Sequence, residues 1–388
     1  MAKTVLVIEA HARAAIAIIK SFLRHGINVV AASDHYCCVG FFVHGLRNRV
    51  IYPSVENSPG KFIDWLMNYL CTHPTSMLLP LGDVCVELIA RYQHEIRKHT
   101  LLFMPDYRYF MTAYDKIQTN KVAEAVGIPI PRCWYPDEVG LDIVLRSVSF
   151  PVVVKPAIGV GGRGIIRADS PCELEKIWVR TLKSNTRMFV QEFVPITGRQ
   201  YVVDTLTDTD SRTVAAVASE KVRFYPLNGG ASTLSRSVRM PELCEIVTNL
   251  LRSIRYHGIG NTDFIEDPRD GVVKLLEVNP RFGEMHSICN AVGIDMPYLL
   301  FRVAAREVLP VVQDYPEGKY IRFLPTDMMW FLKSAGRFRA VPGLLESFSS
   351  KVIDTLFEDS DYGPLIGYAM ENIAFLADPK KFCYRFMR

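Results

Sequence analysis

Residues 275–284, LLEVNPRFGE, end an apolar run in three polar residues spaced by two: Glu277, Asn279 and Arg281. If the run is a strand, its side chains alternate between faces and these three share one. A carboxylate, an amide oxygen and a guanidinium at one strand end can hold a divalent cation beside a phosphate. The plain alternative is a solvated strand face with arbitrary polar residues. A second stretch carries matching chemistry. Lys155 lies in VVVKP, and an ammonium inside an apolar strand needs an anionic partner to offset its desolvation. The following AIGVGGRG holds Gly159, Gly161, Gly162 and Gly164, whose tolerance of positive φ lets backbone N–H groups fold around phosphate oxygens. The loop lacks the GK[ST] ending of a Walker motif, and a strand rather than a helix follows it, so it is no dinucleotide fingerprint; alone, it also reads as a hairpin turn.

The elements that must position these groups follow from periodicity. KTVLVIEA, a helix through HARAAIAIIKSFLRHG to Gly26, and INVVAASD read as buried strand, amphipathic helix and buried strand. TSMLLPLGD predicts a further strand and VCVELIARYQHEI a helix, hence a parallel sheet with ligand sites at strand C-termini. DKIQTNKVAEAVG predicts a helix from Asp115 to its stop at Gly127, opened by Lys116, which alone reads as a surface lysine. MFVQEFV, QYVVDTL and TVAAVAS read as successive strands of one antiparallel sheet. ELCEIVTNLLRSIRYHG is helical, and NTDFIED with GVVKLLEVNP predicts a hairpin. SEKVRFYPLNGGASTLSRSV reads as a long loop between a strand and a helix, carrying Asn228, Gly229, Gly230, Ser232 and Thr233, with Lys221, Arg223 and Arg236 as further cations. His11, Arg13, Asp34 and Asp83 fall at strand ends facing the expected cleft, where each equally reads as a cap or surface residue.

The chain has 388 residues, enough for two or three domains, and 49% hydrophobic content suits packed cores. A net charge of +4 without dense basic runs fits an anionic small substrate and excludes a nucleic-acid binder. Nine cysteines without metal or disulfide spacing point to a reducing cytoplasm. Glu9, His11 and Arg13 interrupt any signal-peptide core, and no apolar run reaches the ~18 residues of a membrane span. The tail from MMWFLKSAGRF to KKFCYRFMR mixes aromatic and basic residues. It is expected to dock, with Trp330, Phe331 and Phe338 inward and Lys333, Arg337 and Arg339 at the rim, in preference to contacting a membrane.

In this order, the DK helix, VVKP strand, glycine-rich loop, QEFV segment, DFIED strand and LEVNPR resemble the ATP-grasp superfamily of the carboxylate-amine ligase type, over about residues 1–310. The resemblance implies a fold of α/β and α+β parts. These are a Rossmann-like N-terminal domain (1–105), a small lobe with the glycine-rich loop (106–190), a large lobe with the metal site (191–310), and a C-terminal extension (311–388). It implies ATP phosphates on Lys116, Lys155 and the loop glycines, and adenine along Gln191, Glu192, Phe193 and Val194. Gln200 would stand where the family commonly has a ribose-binding glutamate, which leaves the grip on the ribose and the nucleotide preference in question. Asp263, Glu277 and Asn279 would hold Mg2+, with Mn2+ a substitute, while Arg281, Asn279, Lys221 and Ser232 would serve the transferred group. The implied reaction is ATP-dependent, ADP-forming ligation of a small carboxylic acid to an amine through an acyl phosphate, by a cytoplasmic enzyme that a homodimer would suit. Rival readings are a bicarbonate-phosphorylating carboxylase or carbamoyl-phosphate-type enzyme, a non-catalytic nucleotide-binding regulator, and a nicotinamide-dependent dehydrogenase, for which the glycine-free first turn EAHARAA argues poorly.

Overall fold

The computed structural model describes residues 3–159, 164–183, 186–227, 229–349 and 351–376. The chain opens with β1 (Thr4–Ile8), α1 (Arg13–Arg24), β2 (Asn28–Ser33), β3 (Asn48–Ile51), α2 (Pro59–Thr72), β4 (Met77–Pro80), α3 (Asp83–Arg91) and α4 (Gln93–Ile96). The four strands pair in parallel in the order β3-β2-β1-β4. Val5, Val7, Val29 and Ala31 pack with α1, while Leu6, Ile8, Val30 and Ala32 pack with α2 and α3. Both faces are therefore covered, which is why these strands are continuously apolar. The C-terminal ends of β1, β2 and β4 bring Glu9, His11, Asp34 and Asp83 to one edge.

Two helices, α5 (Tyr107–Tyr114) and α6 (Lys116–Ala125), lead into a second, four-stranded sheet. The Asp115 carboxylate caps α6 by accepting from the N–H groups of Ile117 and Gln118. Then come β5 (Cys133–Trp134), α7 (Leu141–Ser147), β6 (Val152–Pro156), β7 (Ile166–Ala168), α8 (Pro171–Leu182) and β8 (Met188–Glu192), in sheet order β5-β8-β6-β7. Val152, Val154 and Val190 face α7 and α8, so the alternating positions Lys155 and Gln191 share the other face. MFVQEFV thus belongs to this sheet, and its grouping with QYVVDTL and TVAAVAS is corrected: apolar alternation reveals a strand, not its partner.

The third sheet has seven strands. Its elements are β9 (Gln200–Thr207), β10 (Thr213–Tyr225), β11 (Ala231–Ser237), α9 (Pro241–Ile254), β12 (Gly258–Glu266), β13 (Val273–Asn279), α10 (Ser287–Ala291) and α11 (Met296–Ala304), then β14 (Tyr320–Arg322), α12 (Leu324–Lys333), β15 (Val352–Asp354) and α13 (Gly363–Leu376). The order is β13-β12-β9-β10-β11-β14-β15. α9 covers one face through Leu243, Val247, Leu250 and Leu251. The other face shares one apolar core with α10, α11 and the α1 side of the N-terminal sheet. The expected long loop at 219–238 is instead a hairpin: β10 runs on through Lys221 and Arg223, turns, and pairs with β11. Serines and threonines suit strands as well as loops when their hydroxyls find partners, as Ser232 and Thr233 do here.

Beyond residue 310 the chain adds β14 and β15 to that sheet and closes with α13 against residues 39–42. Buried ion pairs fasten it: Arg223 with Asp327 and Arg322 with Asp354, each at 2.9 Å. Phe331 is buried, and it and Trp330 lie against the Arg223 guanidinium, so docking holds for this part of the tail. Phe338 departs from the expectation; it is 87% exposed on a short turn after α12. No described helix is long and apolar enough to cross a membrane. Because Arg223 is enclosed, removal of its partner leaves a buried charge uncompensated. Asp327→Ala is expected to destabilise the chain by about 3–5 kcal/mol in chemical denaturation, and a loss below ~1 kcal/mol would show the pair to be replaceable.

Candidate active site

The β12–β13 hairpin sets Asp263 opposite Glu277 and Asn261 opposite Asn279. Their side chains meet: the Asn279 amide donates to Asp263 at 3.2 Å and to Glu277 at 3.4 Å. Lysines from three other elements close on them. Lys116, the first residue of α6, lies 3.1 Å from Glu277 and donates to the Gly159 carbonyl at 3.1 Å. Lys221 of β10 ion-pairs with Asp263. Lys155 of β6 donates to Gln191 at 2.6 Å, and Gln191 in turn donates to Cys133 Sγ.

The electrostatics separate these groups. Burial alone would raise Glu277, yet Lys116, Lys155 and Lys221 outweigh it and hold the carboxyl down to about 2. For Asp263 burial prevails over Lys221, and its carboxyl is raised. Lys155 is lowered by burial, which Glu277 only partly offsets; its hydrogen bond goes to a neutral amide, so a buried cation here calls for an anionic ligand. Hard oxygen donors on one hairpin, beside such a lysine and the edge of a glycine-rich loop, fit a magnesium-bound polyphosphate.

Arg281 leaves β13 and reaches the N-terminal sheet, where it pairs with Asp83 at 2.7 Å. Burial opposes its charge, but Asp83, Glu284 and Glu277 more than compensate and raise it. Arg13 likewise meets Glu284 at 3.2 Å. The edge candidates Asp83 and Arg13 thus face the LEVNPRFGE segment, whereas His11 and Asp34 join His35 nearby.

Other expected site residues lie as follows. Gly159 borders the lysine cluster and Gly164 has φ 76°, while Gly161 and Gly162 lie outside the described residues. Glu192 pairs with Arg269 at 2.5 Å, Phe193 sits under the Arg167 guanidinium, and Val194 is buried. Gln200 opens β9 opposite Ile265. Ser232 is not brought to the cluster: its hydroxyl bonds the carbonyls of Arg223 and Leu234 and the Ser235 hydroxyl.

Two desolvated carboxyls, Glu9 and the buried Asp204, escaped the sequence reading. Glu9 holds φ 64° in the β1–α1 turn and accepts from the Gly82 N–H; a Cβ on Gly82 would overlap that carboxylate. Burial foremost, with Asp83 and Asp34 adding, pushes Glu9 up to about 7. Asp204 of β9, bonded by the Asn261 amide at 2.7 Å, is likewise pushed up to about 7 by burial. An Asp inside QYVVDTL was a signal, since a carboxylate in an apolar strand demands a partner.

Residues 115–312 match the family described as carbamoyl-phosphate synthase L chain, ATP binding domain, and the chain belongs to that ATP-grasp family. A D-alanine--D-alanine ligase of Marinomonas sp. (strain MWYL1) is 26% identical over 207 residues, covering 50% of this chain and 64% of that one. A D-aspartate ligase of Enterococcus faecium (strain Aus0004) is 25% identical over 273 residues, covering 64% of each. The chain thus spans just under two thirds of the length of these relatives. Among solved structures, the biotin carboxylase domain of Hydrogenobacter thermophilus 2-oxoglutarate carboxylase, in complex with MgADP, ADP and bicarbonate, superposes with a TM-score of 0.67 at 19% identity, over 82% of this chain and 73% of that one. The L-amino acid ligase from Bacillus licheniformis gives 0.60 at 16% identity, over 79% and 75%. These two likenesses establish the fold.

The raised carboxyl of Glu9 has a definite sign. The folded state holds its proton more tightly than the unfolded chain, so this group's contribution is most favourable below the ordinary carboxylate range and is lost as pH rises through about 7. Ionised there, Glu9 costs the fold on the order of 3 kcal/mol. Glu9→Gln keeps an acceptor for Gly82 and should shrink the stability difference between about pH 5 and about pH 8 in urea denaturation; an unchanged difference would remove Glu9 as its source.

Proposed function

We propose that the chain is an ATP- and magnesium-dependent ligase that joins a carboxylic acid to an amine through an acyl phosphate and releases ADP and phosphate. The observation that carries this reading is the meeting of Lys116, Lys155 and Lys221 with Asp263 and Glu277, a set suited to polyphosphate. Lys116 and Lys155 bind and neutralise the ATP phosphates, with the backbone at Gly159 and Gly164 beside them. The backbone of Glu192 and Val194 holds adenine, Gln191 lies at its amino group beside Phe193, and Gln200 faces the ribose. Asp263, Glu277 and the Asn279 amide oxygen would hold magnesium, which would supply positive charge to offset that of the phosphates and assist γ-phosphoryl transfer. A carboxylate oxygen of the acid attacks the γ-phosphorus as the bond to ADP breaks, and the neutral amine nitrogen then attacks the acyl carbon as phosphate leaves and carries off the amine's proton. Arg281, anchored by Asp83, offsets negative charge growing on the acyl oxygen, and Lys221 supports the transferred group.

In this reading residues 1–105 form the Rossmann-like substrate-side domain, 106–190 and 191–310 the two lobes, and 311–388 an extension. The test is ADP release with ATP and magnesium over pairs of amino acids and small carboxylates, with bicarbonate as a separate arm. Turnover that needs both an acid and an amine supports ligation; turnover with bicarbonate alone replaces it with a carboxylase-type reaction. Glu277→Gln should lower ADP formation about 100-fold or more with the fold intact, and near-normal turnover would refute the metal assignment. Lys155→Ala should weaken ATP binding by roughly 2–5 kcal/mol in calorimetry, whereas unchanged affinity would place the phosphates elsewhere.

A further inference from the structure

A second group of donors lies at the C-terminal edge of the N-terminal sheet. Parallel pairing of β1 with β2, up to Ile8 with Ala32, brings the residues after each strand together: His11 from one, Asp34 and His35 from the other. His35 Nδ1 is 2.7 Å and His11 Nδ1 3.9 Å from Asp34 Oδ1. One ligand atom from each of the three residues lies within 4.8 Å of the others. Ser33 Oγ is 3.3 Å from His11 Nδ1 and 3.4 Å from His35 Nδ1, which adds a hydroxyl beside the three. The second observation is on the far side of His35. Its Nε2 lies 3.2 Å from Glu371 Oε1, on a side chain of α13 that is only 4% exposed. A buried carboxylate behind an imidazole fixes the ring and aims the other nitrogen, an arrangement that supports metal-bound histidines once that nitrogen has lost its proton.

We propose that His11, Asp34 and His35 form a binding site for a divalent cation of the zinc class, with Glu371 orienting His35 from the C-terminal helix. Two imidazoles select a borderline metal over magnesium, which prefers an all-oxygen shell. Tetrahedral bonds of about 2.0–2.1 Å separate donors by roughly 3.4 Å, between the two donor distances to Asp34, so small side-chain rotations suffice. Coordination through His35 Nδ1 replaces its contact with Asp34 and expels any proton held between them to solvent. The cation would tie the ends of β1 and β2 to α13. It would thereby fix the turn that carries Glu9 and Arg13, the latter already in contact with Glu284. None of its ligands is among the hairpin donors, so the site stands independently of the ligase reading.

The test is titration of the full-length chain with Co2+ as a spectroscopic probe, without nucleotide, alongside equilibrium dialysis of Zn2+. One equivalent with tetrahedral ligand-field absorption is expected in the wild type and in Glu277→Gln, and its loss in His11→Ala and in His35→Ala. Glu371→Gln should retain the spectrum but bind about 10- to 100-fold more weakly. X-ray absorption of the wild-type zinc form should show two imidazole ligands, a readout that does not depend on whether the variants fold. Absence of tight binding in the wild type, a spectrum surviving in both histidine variants, or a zinc shell without imidazole would each overturn the proposal.

Discussion

Two carboxylates face each other across the β12–β13 hairpin, and the rest of the site answers the cost of holding them there. Asp263 and Glu277 sit at one paired position. Two carboxylates held at one register position away from bulk solvent cannot both ionise without cations close by. The fold supplies those cations from three different elements: α6, β6 of the second four-stranded sheet, and β10 of the hairpin's own sheet. Glu277 draws most of the compensation and is held low, while Asp263 is left raised.

The same segment couples the site to the N-terminal sheet. Asn279 lies inside the hairpin; two residues later, Arg281 has left the strand and pairs with Asp83 where β4 gives way to α3. Asp83 follows Gly82, whose N–H binds Glu9, so a chain of charged contacts runs from the hairpin through β4 to the end of β1. A shared apolar core beneath makes this relation stiff: Val5 and Val7 belong to the same cluster as Leu206, Val217, Ile288 and Leu300. The positive φ of Glu9 is tolerated because that surrounding structure determines it.

Much of this was legible in the sequence for a simple reason. Strand alternation is rigid, so Glu277 and Asn279 could be assigned one direction before any partner was known, whereas Arg281, expected on the same face, lies past the strand end and turns to Asp83; motif order placed Lys116, Lys155 and Asp263 around the pair. Partner choice was not legible. QEFV and QYVVDTL look equally apolar, yet β8 pairs with β6 in one sheet and β9 with β12 in another, because pairing depends on loops and long-range packing. The β10–β11 hairpin was hidden by Ser, Thr and Gly, whose local signal is that of a loop; here the hydroxyls of Ser232 and Thr233 find buried partners. Glu9 escaped because nothing in EAHARAA signals a left-handed turn. β14 and β15 are three residues each, too short to show alternation.

Those short strands change how the C-terminal segment is understood. A segment merely resting on a finished lobe would bury apolar side chains and little else. Here β14 supplies hydrogen-bonding partners to β11, so without it the edge of the large sheet would present unpaired N–H and C=O groups. Arg223, on the same β10 strand as Lys221, is enclosed by Asp327, Pro342 and Ser347, all from beyond residue 310. Its charge is tolerable only because that segment is in place. The strand that delivers Lys221 to Asp263 is therefore secured at Arg223 by the C-terminal chain, while Asp361, just before α13, pairs with Lys20 and Glu371 of α13 meets His35, both on the N-terminal part of the chain. The segment is a structural part of both walls, and the geometry of the lysine cluster depends on it.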